Sequence, residues 1–161
     1  MIPIFILTLA ADAGKLADGF RGIPFGPAAV MDTAPLPGCR PDSEPGFKWA
    51  CATEVGGVPV TVSYGVEHGL YYATAIWFKL GYTEAATFRG VLTAAYGKGA
   101  PAKDYMRGGM DDWVWRDGSV SARFTYNQFS HSVSFFIMDI DLYKQVEAAK
   151  AIEAKQAIGD L

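Results

Sequence analysis

Residues 94–118, which read AAYGKGAPAKDYMRGGMDDWVWRDG, gather glycines, lysines, aspartates and two tryptophans in one segment. Glycines beside a lysine suggest a phosphate-binding loop, which requires G-x-x-x-x-G-K followed by Ser or Thr, between a strand and a helix. Here Gly97 and Lys98 are followed by Gly99, and the predicted order is helix, loop, strand. The segment is therefore interpreted as a connection in which Gly97 ends a helix.

Two aspartates and two tryptophans lie in the strand predicted after this loop. Adjacent residues on a strand point to opposite faces, so Asp111 and Asp112 are not expected to share a cation or an acid/base role. We expect them at a solvated strand entrance. Trp113 and Trp115 are two residues apart and share one face. Their predicted place is the core or a covered edge, and an aromatic ligand platform is the alternative.

The remaining candidates for chemistry do not assemble in the sequence. Ser130 or Ser132 with His131 and Asp111 would supply the residue types of a nucleophilic triad, but adjacent Ser130 and His131 are poorly placed for attack and no G-x-S-x-G motif is present. The two histidines, His68 and His131, are far apart and form no H-E-x-x-H motif. We therefore predict no catalytic residues, no metal site and no cofactor.

The two cysteines flank an irregular stretch, RPDSEPGFKWA. A disulfide between Cys39 and Cys51 would close a loop of about 13 residues and contribute roughly 3 kcal/mol. A zinc site is the functional alternative, but two cysteines without neighbouring histidines supply half of a coordination shell. Two buried thiols are the remaining alternative. We predict the disulfide.

The N-terminal residues favour export. An unbroken apolar run over residues 2–10 is followed by Ala11-Asp12-Ala13, which resembles a signal-peptidase site, although no Lys or Arg precedes the run. A buried first strand, IPIFIL, is the alternative interpretation. We predict that residues 1–13 are the remnant of a signal peptide and that the mature protein is periplasmic or secreted.

Composition limits the class of protein. The chain has 161 residues, is 50% hydrophobic and carries a formal net charge of −3 at pH 7. These values predict one globular domain with a substantial core. Basic residues are scattered singly, so a nucleic-acid-binding footprint is missing. No apolar stretch reaches the roughly 20 residues of a transmembrane helix, and no transmembrane segment is predicted.

The order of strand and helix patterns predicts an α+β domain. Residues 14–46 hold most of the prolines and are expected to be irregular. Residues 47–140 predict three strands, an amphipathic helix over 83–96 capped by Thr83, and three more strands. Consecutive short strands with tight turns favour an antiparallel sheet of about six strands, with the helix packed on it.

Residues 141–161 predict a C-terminal helix that is docked by its first half. Leu142 and Val146 are one helical turn apart and should face the domain. The half after Ala151 has high helix propensity and few large apolar side chains. It is interpreted as a handle for a partner or a second copy, with an exposed tail as the alternative.

Several segments resemble a loose group of small uncharacterised exported proteins of Gram-negative bacteria. They are GFRGIPFG, VSYGVEHGLYYATAIWF, LTAAYGKGAP and DWVW, which together cover most of the chain after the signal. The resemblance implies an exported, single-domain, non-catalytic protein. It brings no known activity or functional residues.

Three function classes follow from these patterns. The first is an extracytoplasmic binding or assembly module, whose partner is another envelope or extracellular protein or a second copy. The second is a small carrier of an apolar ligand held between helix and sheet, and the third is an enzyme of unrecognised type. We favour the first, because aromatic content is 14% and no catalytic set is found. The predicted ligand or partner contacts are Tyr72, Trp77, Trp113, Trp115, Phe124 and Phe136.

Overall fold

A computed structural model describes residues 15–55, 58–102 and 110–159 of the chain. The predicted signal segment, residues 1–13, lies outside the described residues. In the described part, nine antiparallel strands form one sheet, which confirms the predicted α+β class and antiparallel pairing. The strands are β1 (Gly26–Pro27), β2 (Cys39–Pro41), β3 (Phe47–Val55), β4 (Val58–Glu67), β5 (Leu70–Lys79), β6 (Ala100–Pro101), β7 (Met110–Asp117), β8 (Val120–Asn127) and β9 (Ser132–Asp139).

Two α-helices accompany the sheet: α1 spans Tyr82–Tyr96 and α2 spans Ile140–Gly159. The predicted order of three strands, helix and three strands is confirmed in β3–β5, α1 and β7–β9. The predicted cap is wrong, because Gly81 is the N-cap residue and Thr83 lies inside the helix. Gly97 follows the last turn with φ of 82°, a left-handed conformation that glycine adopts without strain.

The predicted number of about six strands is too low. The three additional strands, β1, β2 and β6, are two or three residues long and lie in Pro- and Gly-containing segments. Hydrophobic alternation needs four or more residues to be recognised, so strands this short leave no period in the sequence. Each of them forms by pairing with a longer strand: β1 with β5, β2 with β3 and β6 with β7.

The sheet consists of two three-stranded meanders that meet at its centre. The order is β2-β3-β4-β5-β9-β8-β7-β6, so β9 returns to lie beside β5. The central position of β5 agrees with its sequence, LYYATAIWFK, in which both faces are largely apolar. The connection from β5 to β7 contains α1, which crosses one face of the sheet.

We call the sheet face that packs against α1 the closed face. Phe88 of α1 lies against three phenylalanines of the sheet, with ring centroids 5.1 Å from Phe78, 6.1 Å from Phe124 and 6.4 Å from Phe135. Ala85 and Leu92 of α1 are also buried. The N-terminal segment belongs to the same core cluster through Leu16, Phe20, Ala28 and Met31.

Among the described elements, α2 covers the opposite face, and it does so at one end only. The start of α2 packs there through buried Val146 and half-buried Leu142, against Tyr72, Ala73, Phe136 and Met138 of the sheet. This confirms the predicted docking residues of α2. A β-bulge allows Tyr72 to reach this cluster: Val66 pairs with Tyr71 and Gly65 with Ala73, so Tyr72 is the extra residue of β5.

The predicted disulfide is confirmed. Cys39 of β2 is bonded to Cys51 of β3, and the two residues lie directly opposite each other in the ladder with their Cα atoms 4.1 Å apart. Cys51 is fully buried on the closed face. The bond therefore ties the N-terminal segment, which covers part of the closed face, to the sheet.

Candidate functional site

A polar surface lies between α2 and the edge of the sheet that β7 and β6 form. We call this surface the open face. Its side chains point away from α1, because residues alternate between faces along each strand. The side chains that the strand register places on it include Trp77 and Lys79 of β5, Ser132 and Ser134 of β9, Arg123, Thr125 and Asn127 of β8, and Asp112, Val114 and Arg116 of β7.

The first depression of the open face is a groove of about 480 Å³, which we call the Trp77 groove. Two rows of side chains cross β5, β9 and β8 in register and line it. One row is Trp77, Ser134 and Thr125, and the other is Lys79, Ser132 and Asn127. Small serines on β9 thus form the floor, and larger side chains on the neighbouring strands form the two walls.

Trp77 is the main apolar surface of this groove. Its side chain is 41% exposed, although it lies on the central strand of the sheet. The ring of Phe47 contacts it edge-on, with centroids 6.0 Å apart and planes at 67°. This packing limits the rotamers of Trp77, because one side of the indole is held while the rest meets solvent.

Hydrogen bonds position the polar side chains of the groove. Asn127 Oδ1 accepts from the backbone N–H groups of Phe129 and Ser130 at 2.9 and 3.2 Å, which orients its amide. The hydroxyls of Ser130 and Ser132 are 2.6 Å apart. The groove therefore offers hydroxyl and amide groups in fixed places.

An ion pair on the open face anchors the neighbouring row. Arg123 donates from Nε to Asp112 Oδ1 at 2.8 Å and from Nη2 to Asp112 Oδ2, and the Thr125 hydroxyl donates to Asp112 Oδ1 at 3.0 Å. Asp112 is only 5% exposed, so these three donors satisfy a buried carboxylate. The charge of Arg123 is thus already engaged by Asp112.

The second depression, which we call the cationic groove, lies beside β6 and has a volume of about 600 Å³. Pro101, Ala102 and Val114 give it apolar walls, and Lys98, Arg116 and Arg123 bring positive charge. Lys98 and Arg116 are exposed. Within the described ranges neither forms an ion pair, so their charges face solvent.

Asp111 and Trp113 lie on the other side of β7. Asp111 accepts from Arg89 of α1 and from Trp113 Nε1, the latter at 2.7 Å, while the Arg89 guanidinium lies 4.7 Å from the Trp113 ring centroid. The adjacent aspartates therefore have separate partners on opposite faces, as the alternation predicts. The expected solvated strand entrance is wrong, since both carboxylates are engaged and Asp112 is buried.

The structure divides the predicted contact residues among three places. Trp115 is 2% exposed and donates from Nε1 to the carbonyl of Gly97 at 2.9 Å, and Trp113 packs partly buried against the same core. Phe124 is buried on the closed face. Trp77 lies on the open face, whereas Tyr72 and half-buried Phe136 belong to the α2 cluster. Tyr72, Trp77, Phe124 and Phe136, the residues that would line the pocket of an apolar carrier, are thus not brought together.

Tyr72 has a structural role beneath α2. Its ring centroid is 5.8 Å from that of Tyr143, and its hydroxyl donates to the carbonyl of Gly46 at 3.1 Å. Burial, followed by the nearby charge of Glu67, raises the pKa of Tyr72 to about 12. The neutral phenol is therefore the form that this contact requires.

The residue types of a nucleophilic triad are not assembled. His131 Nδ1 lies 3.1 Å from the Tyr126 hydroxyl, Ser130 and Ser132 contact each other, and Asp111 is held by Arg89. In the described ranges, no group of three or more His, Cys, Asp or Glu residues is arranged to hold a metal ion. These residues provide no nucleophile–base pair.

The distal half of α2 lies outside the core. Residues 151–158 are all exposed, and Ile152 and Ile158 are 57% and 72% exposed. Before this segment, Lys150 Nζ lies 2.6 Å from Glu67 Oε2, a contact that raises the pKa of Lys150. His68 and Glu153 approach to 3.4 Å at the surface. None of the described helices has the length and apolar character needed to cross a bilayer.

Sequence reasoning missed most of the open face, although its signal was present. In β8, VSARFTYN, residues 120, 122, 124 and 126 are buried, and the four intervening residues include Arg123, Thr125 and Asn127. This strict alternation predicts a wet face. The alternation does not predict that β9 pairs with β5, and it is this pairing that brings Ser134 beside Trp77.

Comparisons with family models, with curated proteins and with solved structures find no match for the chain.

Proposed function

We propose that the protein is a non-catalytic extracytoplasmic binding or assembly module, and that the open face is the surface it presents to an envelope or extracellular partner. The observation that carries the proposal is the strip of sheet around Trp77 that the described elements leave uncovered. The solvated face of an antiparallel sheet normally carries polar side chains, yet here a tryptophan on the middle strand is 41% exposed beside a groove. Partly exposed aromatic anchors of this kind are enriched where proteins bind ligands.

The proposed location rests on the disulfide. Disulfides persist in oxidising compartments and are rare in the cytosol. Export through the N-terminal apolar run would deliver the chain to such a compartment. Mass spectrometry of the native protein from a cell-envelope fraction should therefore find a chain that begins near Gly14. Intact Met1 in a cytoplasmic fraction would contradict export.

The proposed binding surface is tested by matched substitutions at two exposed hydrophobic residues. The Trp77→Arg and Ile152→Arg variants, together with the unmodified protein, would be used to capture partners from an envelope fraction. We expect Trp77→Arg to lose capture and Ile152→Arg to retain it, because only Trp77 lies on the open face. Circular dichroism must show both variants folded. Retained capture by folded Trp77→Arg would contradict the proposal.

A further inference from the structure

We propose that the open face binds an acidic saccharide chain, with one sugar ring stacked on Trp77 in its groove and the acidic groups held by Lys98 and Arg116 in the cationic groove. This inference rests on the proposed function, because it names the ligand class of the same face. It is carried by three observations: the charge of the face, the chemistry of its groove and the distance between its two depressions.

The charge of the open face is opposite to that of the chain. The protein carries a formal net charge of −3, but the charged side chains described on the open face of β5, β7, β8 and β9 are Lys79, Arg116, Arg123 and Asp112. Arg123 and Asp112 neutralise each other. Lys79, Arg116 and the adjacent Lys98 remain as exposed cations. A ligand that fits this face therefore carries negative charge, and its attraction is local, because the net charge of the protein repels anions.

The chemistry of the Trp77 groove fits a polyhydroxylated ring. A sugar ring has an apolar face of C–H groups, which an exposed indole can cover, and a rim of hydroxyls, which need donors and acceptors. The groove supplies Trp77 as the platform and the hydroxyls of Ser134 and Thr125 on the neighbouring strands. The Thr125 hydroxyl donates its hydrogen bond to Asp112, so its oxygen remains free to accept one from a ligand hydroxyl.

The two depressions lie on one path across the sheet. From Trp77 on β5 to Arg116 on β7 the path crosses β9 and β8. Trp77 lies in the same row as Asp112, and Arg116 is four residues further along β7. Three strand spacings and this offset along the strand together give about 20 Å, which is the length of a short oligosaccharide. One extended ligand can therefore contact both grooves, and joining two weak subsites raises the affinity over either alone.

The test is calorimetric titration of the full chain with an oligogalacturonate, using a malto-oligosaccharide of equal length as the neutral probe. We expect binding of the acidic probe that weakens with added salt, and binding of the neutral probe that is at least about tenfold weaker. Equal affinity for the two probes, or no heat with the acidic probe at low salt, would overturn the inference.

Variants locate the binding energy. Trp77→Ala should weaken binding of the acidic probe about tenfold, and the Lys98→Gln/Arg116→Gln double variant about three- to tenfold. Lys155→Gln is the matched control, because it also removes a positive charge from an exposed site but lies on distal α2. Trp77→Phe retains a ring if Trp77→Ala does not fold, and it should bind better than any variant without one. Unchanged affinity in the folded groove variants would overturn the inference.

Two further outcomes separate this inference from the proposed function. A thymidine oligonucleotide is also anionic and able to stack, so affinity equal to that of the oligogalacturonate would overturn the assignment to a saccharide. If neither probe binds while Trp77→Arg still abolishes partner capture, the proposed function stands and the saccharide inference falls. If the acidic probe binds and every groove variant binds it more weakly, the saccharide inference stands whatever the result of partner capture.

Discussion

The closed and open faces of the sheet are built from the same strands but use their side chains for different ends. On the closed face, α1 and the N-terminal segment enclose aromatic rings in mutual contact, such as Phe88 with Phe78 and Phe124. On the open face, serine, threonine and asparagine surround a half-exposed Trp77. Because side chains alternate along a strand, the same strand supplies apolar side chains to the closed face and polar side chains to the open face.

Adjacent aspartates on β7 show the difference at the level of single residues. Asp111 connects the sheet to α1 through Arg89, so it contributes to the attachment of the helix. Asp112 is held by Arg123 and Thr125, which belong to the sheet itself. The first ion pair joins the helix to the sheet, whereas the second joins two neighbouring strands and orders the side chains of the open face. Substitution of Asp111 is therefore expected to affect the attachment of α1, and substitution of Asp112 the order of the open face.

The largest effect is expected on the closed face. Leu92→Ala should lower the free energy of unfolding by about 2 to 5 kcal/mol, because Leu92 is 1% exposed in the core between α1 and the sheet. Urea unfolding measures the change. Thr93→Ala, on the exposed side of the same helix, is the control and should stay within about 0.5 kcal/mol. A loss below that value for Leu92→Ala would show that this core tolerates a cavity.

A slightly smaller effect is expected from removing the disulfide. The Cys39→Ala/Cys51→Ala variant should lose about 3 kcal/mol, because a closed loop of this length restricts the unfolded chain by about that amount. Thermal unfolding with and without reductant provides the measurement: reductant should lower the stability of the unmodified protein and leave the variant unchanged. Equal sensitivity of both proteins to reductant would contradict the stabilising role of the disulfide.

The open-face ion pair should contribute less. Arg123→Met is expected to cost about 1 to 3 kcal/mol, because it leaves Asp112 buried with the Thr125 hydroxyl as its remaining donor among the contacts described above. The Arg123→Met/Asp112→Asn double variant should recover part of this loss, since no buried charge remains. A double-mutant cycle by urea unfolding decides it, and strictly additive losses would show that the pair is not coupled.

Alkaline pH should loosen the contact beneath α2. Tyr72 has a folded pKa of about 12 against an ordinary value near 10, so its contribution to stability is complete below about pH 10 and is lost as the pH rises through about 12. Burial also raises the pKa of Tyr64 and Tyr71, which act in the same direction. The free energy of unfolding, measured with urea from about pH 9 to about pH 12, should decline less steeply for Tyr72→Phe than for the unmodified protein. Parallel declines would contradict the role of Tyr72.

How much the sequence predicts depends on the length and locality of each feature. The six long strands and both helices are predictable, because periods of two and 3.6 residues persist through them. The disulfide is predictable from two cysteines around an irregular loop. The short strands β1, β2 and β6 carry no period, and the bulge at Tyr72 shifts which face its neighbours occupy. The open face depends on β5 pairing with β9, two strands separated by about half of the domain's sequence, and such long-range pairing is not encoded in any local pattern.

The smallest effect on stability is expected from deleting residues 151–161, because the distal half of α2 adds almost nothing to the core. Residues 151–158 are all exposed, and the contact between His68 and Glu153 lies at the surface, where such contacts have little energetic value. We expect the free energy of unfolding to change by less than about 0.5 kcal/mol, since Val146 and Leu142 still dock the helix. Exposed Ile152 and Ile158 motivate a second expectation: the deletion should weaken self-association and leave ligand binding at the open face unchanged, because the distal segment and the grooves share no residues. Thermal melting together with light scattering measures both properties on one sample. A collapsed melting transition would place the segment in the core, and an unchanged molar mass would reduce it to an exposed tail.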